Sequence, residues 1–398
     1  MWKLTLPLEG IKVLELSRTL AGPLAGQLLG DLGAEIIKVE QPGSGDESRS
    51  FMPPEWDGES CYYLSTNRNK RSITVNLKDP KGLELVRKIA ADSDVLIENF
   101  RTGTADKLGV GYEAIKEINP RLVYLSISGF GRTGPERFRA GYDLLLQGYG
   151  GLMGTTGELG RMPVKAGPSI VDISTGLLGA FGVLAALMAR DKTDEGQYVD
   201  CSLLDGQVMM LNHFATGYFA TGKSAERLGT EHQTLVPYQA FKAEDKYFLL
   251  AVGNDGLWRK MCQSFEWFDL LEDQRFITNK LRVQYREELI PLLTERFATM
   301  DSENIFEKMD TVGIPCGPIN SVEEAITSPQ AVAREMMIEV PHPNIQNLKT
   351  PAFPVKLSET PASIRRHPPL LGEHTEEILK EYGFTVNDMQ IFKEQGVV

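Results

Sequence analysis

Cysteine, histidine and positive charge are all in short supply in this chain. Its 398 residues hold four cysteines and five histidines. Cys61, Cys201, Cys262 and Cys316 lie far apart and form no C-x-x-C, and none adjoins a histidine or a Gly-rich turn. That excludes a disulfide framework, argues against a nucleophilic thiol, and makes reduced cysteines in a reducing, cytoplasmic compartment the expectation. The histidines show no H-E-x-x-H or other ligand spacing, so no metal site is expected. There is no Walker A sequence. The formal net charge of −12 argues against nucleic acid or an anionic membrane surface as the main partner, and a phosphate-bearing ligand would need a local basic patch. Long apolar runs are missing too. Residues 1–16 lack a basic stretch followed by an apolar core and are interrupted by Glu9 and Lys12, so they read as a first strand rather than a signal peptide. The longest apolar stretch, 177–189, looks too short and too Gly-rich to span a bilayer. No internal repeat or low-complexity tract is present.

What remains is an ordinary globular composition at a length that favours two domains. The first half alternates strands and helices. Strands are expected at 11–16, 34–40, 72–77, 94–98 and 121–128. A helix at 24–32 opens after Ala21-Gly22-Pro23 and closes near Gly33. Asp79-Pro80 followed by Leu83, Val86, Ile89 and Ala90 spells a capped amphipathic helix. Residues 112–119 form another helix, stopped by Pro120. Strands alternating with helices mean βαβ units, and hence an α/β, Rossmann-like parallel sheet covered on both faces. A long helix is expected at 173–190, a strand at 197–202 and a helix at 203–221. The composition then changes to a smaller α+β unit, with a hairpin over 236–252 turning at 243–246 and helices at 256–265 and 286–306. From about Ser328 the chain is Pro-rich and reads as an extended strap running back to the first domain, ending in a helix at 375–382. The resulting division is a large α/β domain over 1–205, a linker over 206–228, a small α+β domain over 229–327 and a return segment over 328–398 that packs on the large domain.

Parallel sheets bind ligands at the carboxyl ends of their strands, which directs attention to the segments just after them. Gly129-Phe130-Gly131-Arg132-Thr133-Gly134 matches G-x-G-x-x-G, but it follows the fifth strand rather than the first and opens no apolar-faced helix, so nicotinamide binding is disfavoured. Asn67-Arg68-Asn69-Lys70-Arg71-Ser72 is the densest basic cluster; it reads either as a solvated turn or as a phosphate contact. In Asn99-Phe100-Arg101, Phe100 is placed to stack on a flat ring and Arg101 to pair with phosphate, although an ordinary strand-end loop has the same spacing. Asp172 stands in Gly167-Pro168-Ser169-Ile170-Val171-Asp172, just before the long helix. Asp is a favoured helix N-cap, and the positive end of the helix is expected to hold it ionised. A desolvated carboxylate among small residues is also a nucleophile toward an activated acyl group.

The chain resembles the class III CoA-transferases, the family of formyl-CoA and carnitine CoA-transferases, almost end to end. The matching stretches are Leu8-Glu9-Gly10-Ile11-Lys12-Val13-Leu14-Glu15-Leu16, Ala21-Gly22-Pro23, Leu32-Gly33-Ala34-Glu35-Ile36-Ile37-Lys38-Val39-Glu40, Pro42-Gly43-Ser44-Gly45-Asp46, the basic cluster at 67–72, Glu98-Asn99-Phe100-Arg101, Gly129-Phe130-Gly131 and residues 372–378. The resemblance implies a nucleophilic aspartate at Asp172. It implies coenzyme A contacts at Leu20, Ala21, Val75, Asn76, Leu77, Lys78, Asn99, Phe100, Arg101, Lys107, Arg139 and Ala140. Some relatives carry an arginine where this chain has Gln41, and a glycine-rich cover where it has Val252-Gly253-Asn254-Asp255-Gly256. The resemblance also implies an interlocked homodimer of two ring-like chains, with acyl-CoA and a carboxylic acid as substrates and no tightly bound cofactor or metal.

The same superfamily includes α-methylacyl-CoA racemases, the alternative reading, which pair the acid with a histidine for two-base proton transfer. That histidine would fall on Tyr142, whose ordinary pKa of about 10 makes it a poor base at neutral pH. Asp143 and Tyr142 are candidate assisting groups for the transferase. A non-catalytic acyl-CoA-binding protein is a third reading. In the transferase chemistry Asp172 forms a mixed anhydride and then an aspartyl-CoA thioester. The glycines near the site and backbone N–H groups at the start of the long helix are expected to stabilise the oxyanion. The acids exchanged are not legible; small dicarboxylic acids such as succinate are one class, and oxalate, formate, carnitine and aromatic acids stay open.

Overall fold

The computed structural model describes residues 6–398, and the first five residues of the strand expected at 1–16 lie outside the described part. The chain divides into two compact units. The first takes in residues up to Leu152, Ala166–Ala215 and Pro329–Val398, and the second Met153–Lys165 and Thr216–Ser328. The boundaries drawn from sequence differ: residues 153–165 group with the second unit, the linker expected over 206–228 is divided between the first unit (to Ala215) and the second (from Thr216), and Ser328 falls in the second unit.

The first unit is built on a six-stranded sheet. Its elements in chain order are β1 (Lys12–Glu15), α1 (Ala21–Asp31), β2 (Glu35–Glu40), β3 (Lys70–Thr74), α2 (Pro80–Ala91), β4 (Val95–Glu98), β5 (Val123–Ser128), α3 (Asp143–Tyr149), α4 (Ile170–Thr193), β6 (Tyr198–Ser202) and α5 (Leu203–Met210). The strand order is β3-β2-β1-β4-β5-β6 and every neighbouring pair is parallel. This is the order of the doubly wound folds.

The register explains why these strands read as nearly unbroken apolar runs. Val13 pairs with Ile36 and Val95, and Val95 with Val123; all four enter the core under α1 and α4. One residue later, Leu14 pairs with Ile37 and Leu96, and Leu96 with Tyr124; this row enters the opposite core, under α2 and the C-terminal helices Thr375–Glu381 and Val386–Glu394. With both faces buried, alternation between apolar and polar residues disappears. α2 starts where the sequence signals it, with Asp79 accepting from the Lys81 N–H and Pro80 in the first turn.

The third strand differs from expectation. It runs over Lys70–Thr74 rather than 72–77, because the Asn76 N–H is given to the Val397 carbonyl of the C-terminal segment. α4 is longer than expected. Its 24 residues are long and apolar enough to cross a bilayer, which corrects the argument from shortness. Its packing against α1, β5, β6 and α5 makes it a core helix of this unit. Residues 203–221 form two helices, Leu203–Met210 and His213–Thr221, broken at Asn212, whose φ is +46°.

The second unit holds the expected hairpin, Tyr238–Lys242 against Tyr247–Ala251, extended by Cys316–Pro318 into a three-stranded antiparallel sheet. The single helix expected over 286–306 is two, Arg286–Phe297 and Ser302–Val312; Asp301 caps the second through the Glu303 and Asn304 N–H groups. The Pro-rich return of the chain to the first unit contains a hairpin of its own, Met337–Val340 with Leu348–Pro351.

Candidate active site

The strand order reverses between β1 and β4, because the chain moves from β1 toward β3 and then resumes on the other side at β4. Loops leave a crevice at such a point, outside the carboxyl ends of the strands. An open cleft with a cavity volume of about 230 Å³ lies there. Its walls are Arg18 to Ala21 after β1, Asn99 to Thr102 after β4, Ile127 to Gly129 at the end of β5, Arg137 and Arg139 to Tyr142 before α3, and Asp172 in the first turn of α4.

Nine residues singled out from the sequence therefore come together here: Leu20, Ala21, Asn99, Phe100, Arg101, Arg139, Ala140, Tyr142 and Asp172. Arg18, in the segment after β1 expected to matter, and Arg137, which sequence reading missed, add two guanidinium groups. Four arginines around one cleft supply the local positive patch that a phosphate-bearing ligand needs in an acidic protein. Arg18 pairs with Glu47 at 3.0 Å, and Arg139 lies over the rings of Phe130 and Tyr149, 5.2 Å from each. Arg101 is exposed.

Two of these residues act differently from expectation. The Asn99 side chain accepts from the Arg18 N–H at 2.9 Å and donates to the Arg18 carbonyl at 2.7 Å, so its amide is spent on the neighbouring loop. Phe100 is only 8% exposed and belongs to the core under α2, which leaves little ring face for stacking on a ligand.

Val75, Asn76, Leu77, Lys78 and Lys107 stand outside the cleft lining. Val75 is a core residue, the Asn76 side chain accepts from the Lys78 N–H, and Lys107 ends a short helix, Thr104–Lys107. Gln41 is exposed and does not line the cleft either. Residues 252–256 form a helix start, with Asn254 capping through the Leu257 N–H, rather than a glycine loop.

The basic cluster is neither a solvated turn nor a phosphate site. Residues 67–72 are all buried. Arg68 pairs with Asp31 at 2.7 Å, Lys70 with Glu15 at 2.9 Å, and Arg71 with Glu377 and Glu381. Asn69 accepts from the Arg365 and Arg366 N–H groups and so ties down the returning chain. Burial of charge is tolerated here because each charge has a partner.

The glycine motif has a packing role. A Cβ on Gly129 would come within 2.9 Å of the Gly141 Cα, so the bare backbone lets the 139–142 wall lie against the end of β5. Arg132 folds back to pair with buried Glu98 and donates to the Phe100 carbonyl at 2.8 Å, which fixes the loop after β4 from beneath.

Asp172 is not the N-cap. α4 begins at Ile170 after Ser169, whose side chain makes no capping bond, and Asp172 lies within the first turn. The capping role is taken across the fold by Asp143, only 8% exposed, whose Oδ1 accepts from the Val171 N–H at 2.8 Å and the Asp172 N–H at 3.3 Å. Its Oδ2 accepts from Gln147 Nε2, and Gln147 Oε1 accepts from the Ala166 N–H. The first N–H groups of α4 are thereby engaged, since that of Ile170 goes to the Pro168 carbonyl and that of Ile173 to the Ser169 carbonyl. They are not free to hold an oxyanion, contrary to the expectation from sequence. The helix end also fails to keep Asp172 acidic. Burial, followed by the charge of Asp143, pushes its carboxyl up to about 7.

A further group was missed entirely. Tyr62, about half-buried, arrives from a short helix, Cys61–Leu64, and its hydroxyl bonds to the Ser169 side chain. Its pKa is raised by burial and by the charges of Asp172 and Asp143, so it sits within their electrostatic reach. No local pattern around Tyr62 signals this, because its partners lie far away in the sequence.

Comparison with known proteins identifies the family. A family model, CoA-transferase family III, matches residues 8–375. The chain is 44% identical over 375 residues to the succinyl-CoA:glutarate CoA-transferase of Homo sapiens, covering 94% of this chain and 86% of that one. It is 40% identical over 381 residues to the succinate–glutarate CoA-transferase of Agrobacterium fabrum, covering 94% and 95%. Among solved structures, a CAIB/BAIF family protein from Brucella suis superposes with a TM-score of 0.86 at 42% identity, covering 95% of this chain and 99% of that one. The chain belongs to CoA-transferase family III and is an enzyme of that class.

Proposed function

We propose that this enzyme exchanges coenzyme A between small dicarboxylic acids, with Asp172 as the nucleophile. The observation that carries the reading is the position of Asp172. It is a half-buried carboxylate facing a cleft whose walls hold four arginines. Similarity to succinyl-CoA:glutarate and succinate–glutarate transferases supports succinyl-CoA as donor and glutarate as acceptor.

The Asp172 carboxylate attacks the thioester carbonyl. A C–O bond forms, the C–S bond breaks, and a mixed anhydride and a CoA thiolate result. The thiolate attacks the aspartyl carbonyl, releasing the first acid and leaving an aspartyl-CoA thioester. The acceptor carboxylate then runs both steps in reverse. Each step trades one activated carboxyl for another, so the residues have little thermodynamic work to do. Their task is to exclude water and orient the partners. The start of α1, where Leu20 provides no side-chain cap, brings a partly positive helix end to the cleft beside the reacting centre. Tyr62, whose hydroxyl lies within electrostatic reach of Asp172, is suited to meet negative charge developing there.

We extend the proposal to an interlocked homodimer. Leu177, Phe181 and Met188 run along the outer face of α4 and are 48%, 70% and 67% exposed. That apolar stripe is the kind of surface a second copy covers.

The deciding experiment is trapping. Incubation with succinyl-CoA followed by hydroxylamine or borohydride should modify a peptide at Asp172, detected by mass spectrometry. Asp172→Ala should abolish both adduct and turnover while binding coenzyme A normally. Normal-speed thioester exchange by Asp172→Ala would end the proposal.

A further inference from the structure

The loop between β1 and α1 forms one wall of the cleft, yet its backbone is not at rest. Thr19 has φ +73°, in the left-handed region that a β-branched residue avoids. Something outside the loop holds it there. The Thr19 N–H is given to both carboxylate oxygens of Asp46, at 3.0 and 3.3 Å. The Ser17 carbonyl accepts from Lys38 Nζ at 2.9 Å. Arg18, between them, is bracketed on N–H and carbonyl by the Asn99 side chain. Three consecutive residues are thus fixed by side chains from three other segments.

The brace is a set of buried charges. Lys38 pairs with Asp46 at 2.9 Å and with Glu15 at 2.9 Å; all three side chains are fully buried. Lys70 pairs with the same Glu15 at 2.9 Å. Two acids and two ammonium groups leave the set neutral. Asp46 also accepts from the Ser48 N–H and hydroxyl at 2.9 and 2.8 Å. Burial works against its charge, but the Lys38 ammonium and the N–H groups of Ser48 and Thr19 override this and hold the carboxyl well below the usual range. Asp46 and Lys38 do not line the cleft; Thr19, Leu20 and Ala21 do.

We infer that Asp46, backed by Lys38, is a positioning residue for recognition of the coenzyme A portion of the substrate, holding residues 17–19 in the strained shape that forms the cleft wall. This rests on the reading of the cleft as a coenzyme A site. Asn99 belongs to the same device, since its amide orders the loop.

The test is the dissociation constant of coenzyme A itself, measured by calorimetry on the purified enzyme, so that the readout is independent of the aspartyl chemistry. Asp46→Asn keeps the size and one acceptor for the Thr19 N–H but removes the charge that faces Lys38. It should weaken coenzyme A binding, and raise KM for both acyl-CoA substrates, by between about tenfold and a hundredfold, the scale of a small misplacement of a binding wall. The KM for the free acid and kcat at saturation should change much less, and trapping at Asp172 should persist at saturating donor. Adding Thr19→Gly, which relieves the left-handed strain, should recover part of the affinity; restored melting temperature alone would not. Should Asp46→Asn fail to fold, Ser48→Ala removes one donor to Asp46 and should weaken binding in the same direction. Unchanged coenzyme A affinity in a folded variant, or a collapse of kcat with KM intact, overturns the inference. If wild type binds coenzyme A but forms no adduct, the catalytic reading falls while this one stands; if wild type does not bind coenzyme A, this one falls with it.

Discussion

Asp172 carries its proton up to about neutral pH, because burial and then the charge on Asp143 push its carboxyl to about 7, above the 3.8 of an ordinary aspartate. Two consequences follow at this residue, with opposite directions. For stability, the native state binds a proton that the unfolded chain has already lost between about pH 4 and 7, so the contribution of this group is fully present below that window and is lost as pH rises through it. For catalysis, only the carboxylate attacks, so the rate of the donor half-reaction should climb with pH and level off above about 7. Asp143→Asn tests the cause. It removes one of the two influences that raise the pKa while leaving an oxygen for the Val171 and Asp172 N–H groups. The inflection of donor-side kcat/KM should move to lower pH. An unmoved inflection would show that burial alone sets it, and that Asp143 serves only as the cap of α4. The Gln147 amide must turn over to face the new amide, which loosens its bond to the Ala166 N–H, so some loss of melting temperature is expected alongside.

At the scale of elements, the site depends on how closely α1 and α4 approach. A Cβ on Gly176, one turn beyond Asp172, would lie 2.8 Å from the Ala21 carbonyl and 3.2 Å from Leu24 Cβ. The obstruction is backbone and the root of a side chain, not a flexible tip. Gly176→Ala should therefore destabilise the fold by about 1–3 kcal/mol, as overpacking does, despite the gain in helix propensity. It should also lower turnover, because Ala21 belongs to the cleft wall. A melting temperature at or above wild type would contradict this contact.

Elements of this kind were legible in the chain when their signal was local. β1, β2, β4 and β5 announce themselves as apolar runs because both sheet faces are covered, and Asp79-Pro80 marks the start of α2. The expected ligand edge was legible too, since it follows from strand direction alone. What could not be read were pairings across long separations. Arg68 finds Asp31 and Asn69 finds the backbone at Arg365, so a cluster that looks solvated is buried. Asp143 caps a helix 28 residues away, which displaces Asp172 from the role its local context suggests. Tyr62 meets Ser169 only through the fold.

At the scale of the whole molecule, the proposed interlocked dimer would carry a topological requirement. The covalent path visits the second unit over Met153–Lys165, returns to the first, leaves it again after Ala215, runs through the second unit to Ser328 and rejoins the first at Pro329. Two such chains can be threaded only while at least one is unfolded, and once threaded they separate only by unfolding. An ordinary dimer held by the apolar stripe of α4 would instead exchange partners at the dissociation rate of its interface. The two cases are separable. Light scattering should give twice the 44.2 kDa of one chain. Mixed tagged and untagged dimers should form no hybrids under native conditions, and should form them after denaturation and joint refolding. Phe181→Glu sharpens the distinction, since it puts a charge in the middle of the exposed stripe. In an ordinary dimer it should yield monomers, whereas in a threaded pair the chains that do assemble should stay paired until they melt, at a lower temperature. Hybrids appearing in native buffer would leave a dimer but remove the threading, and a wild-type mass of one chain would remove both.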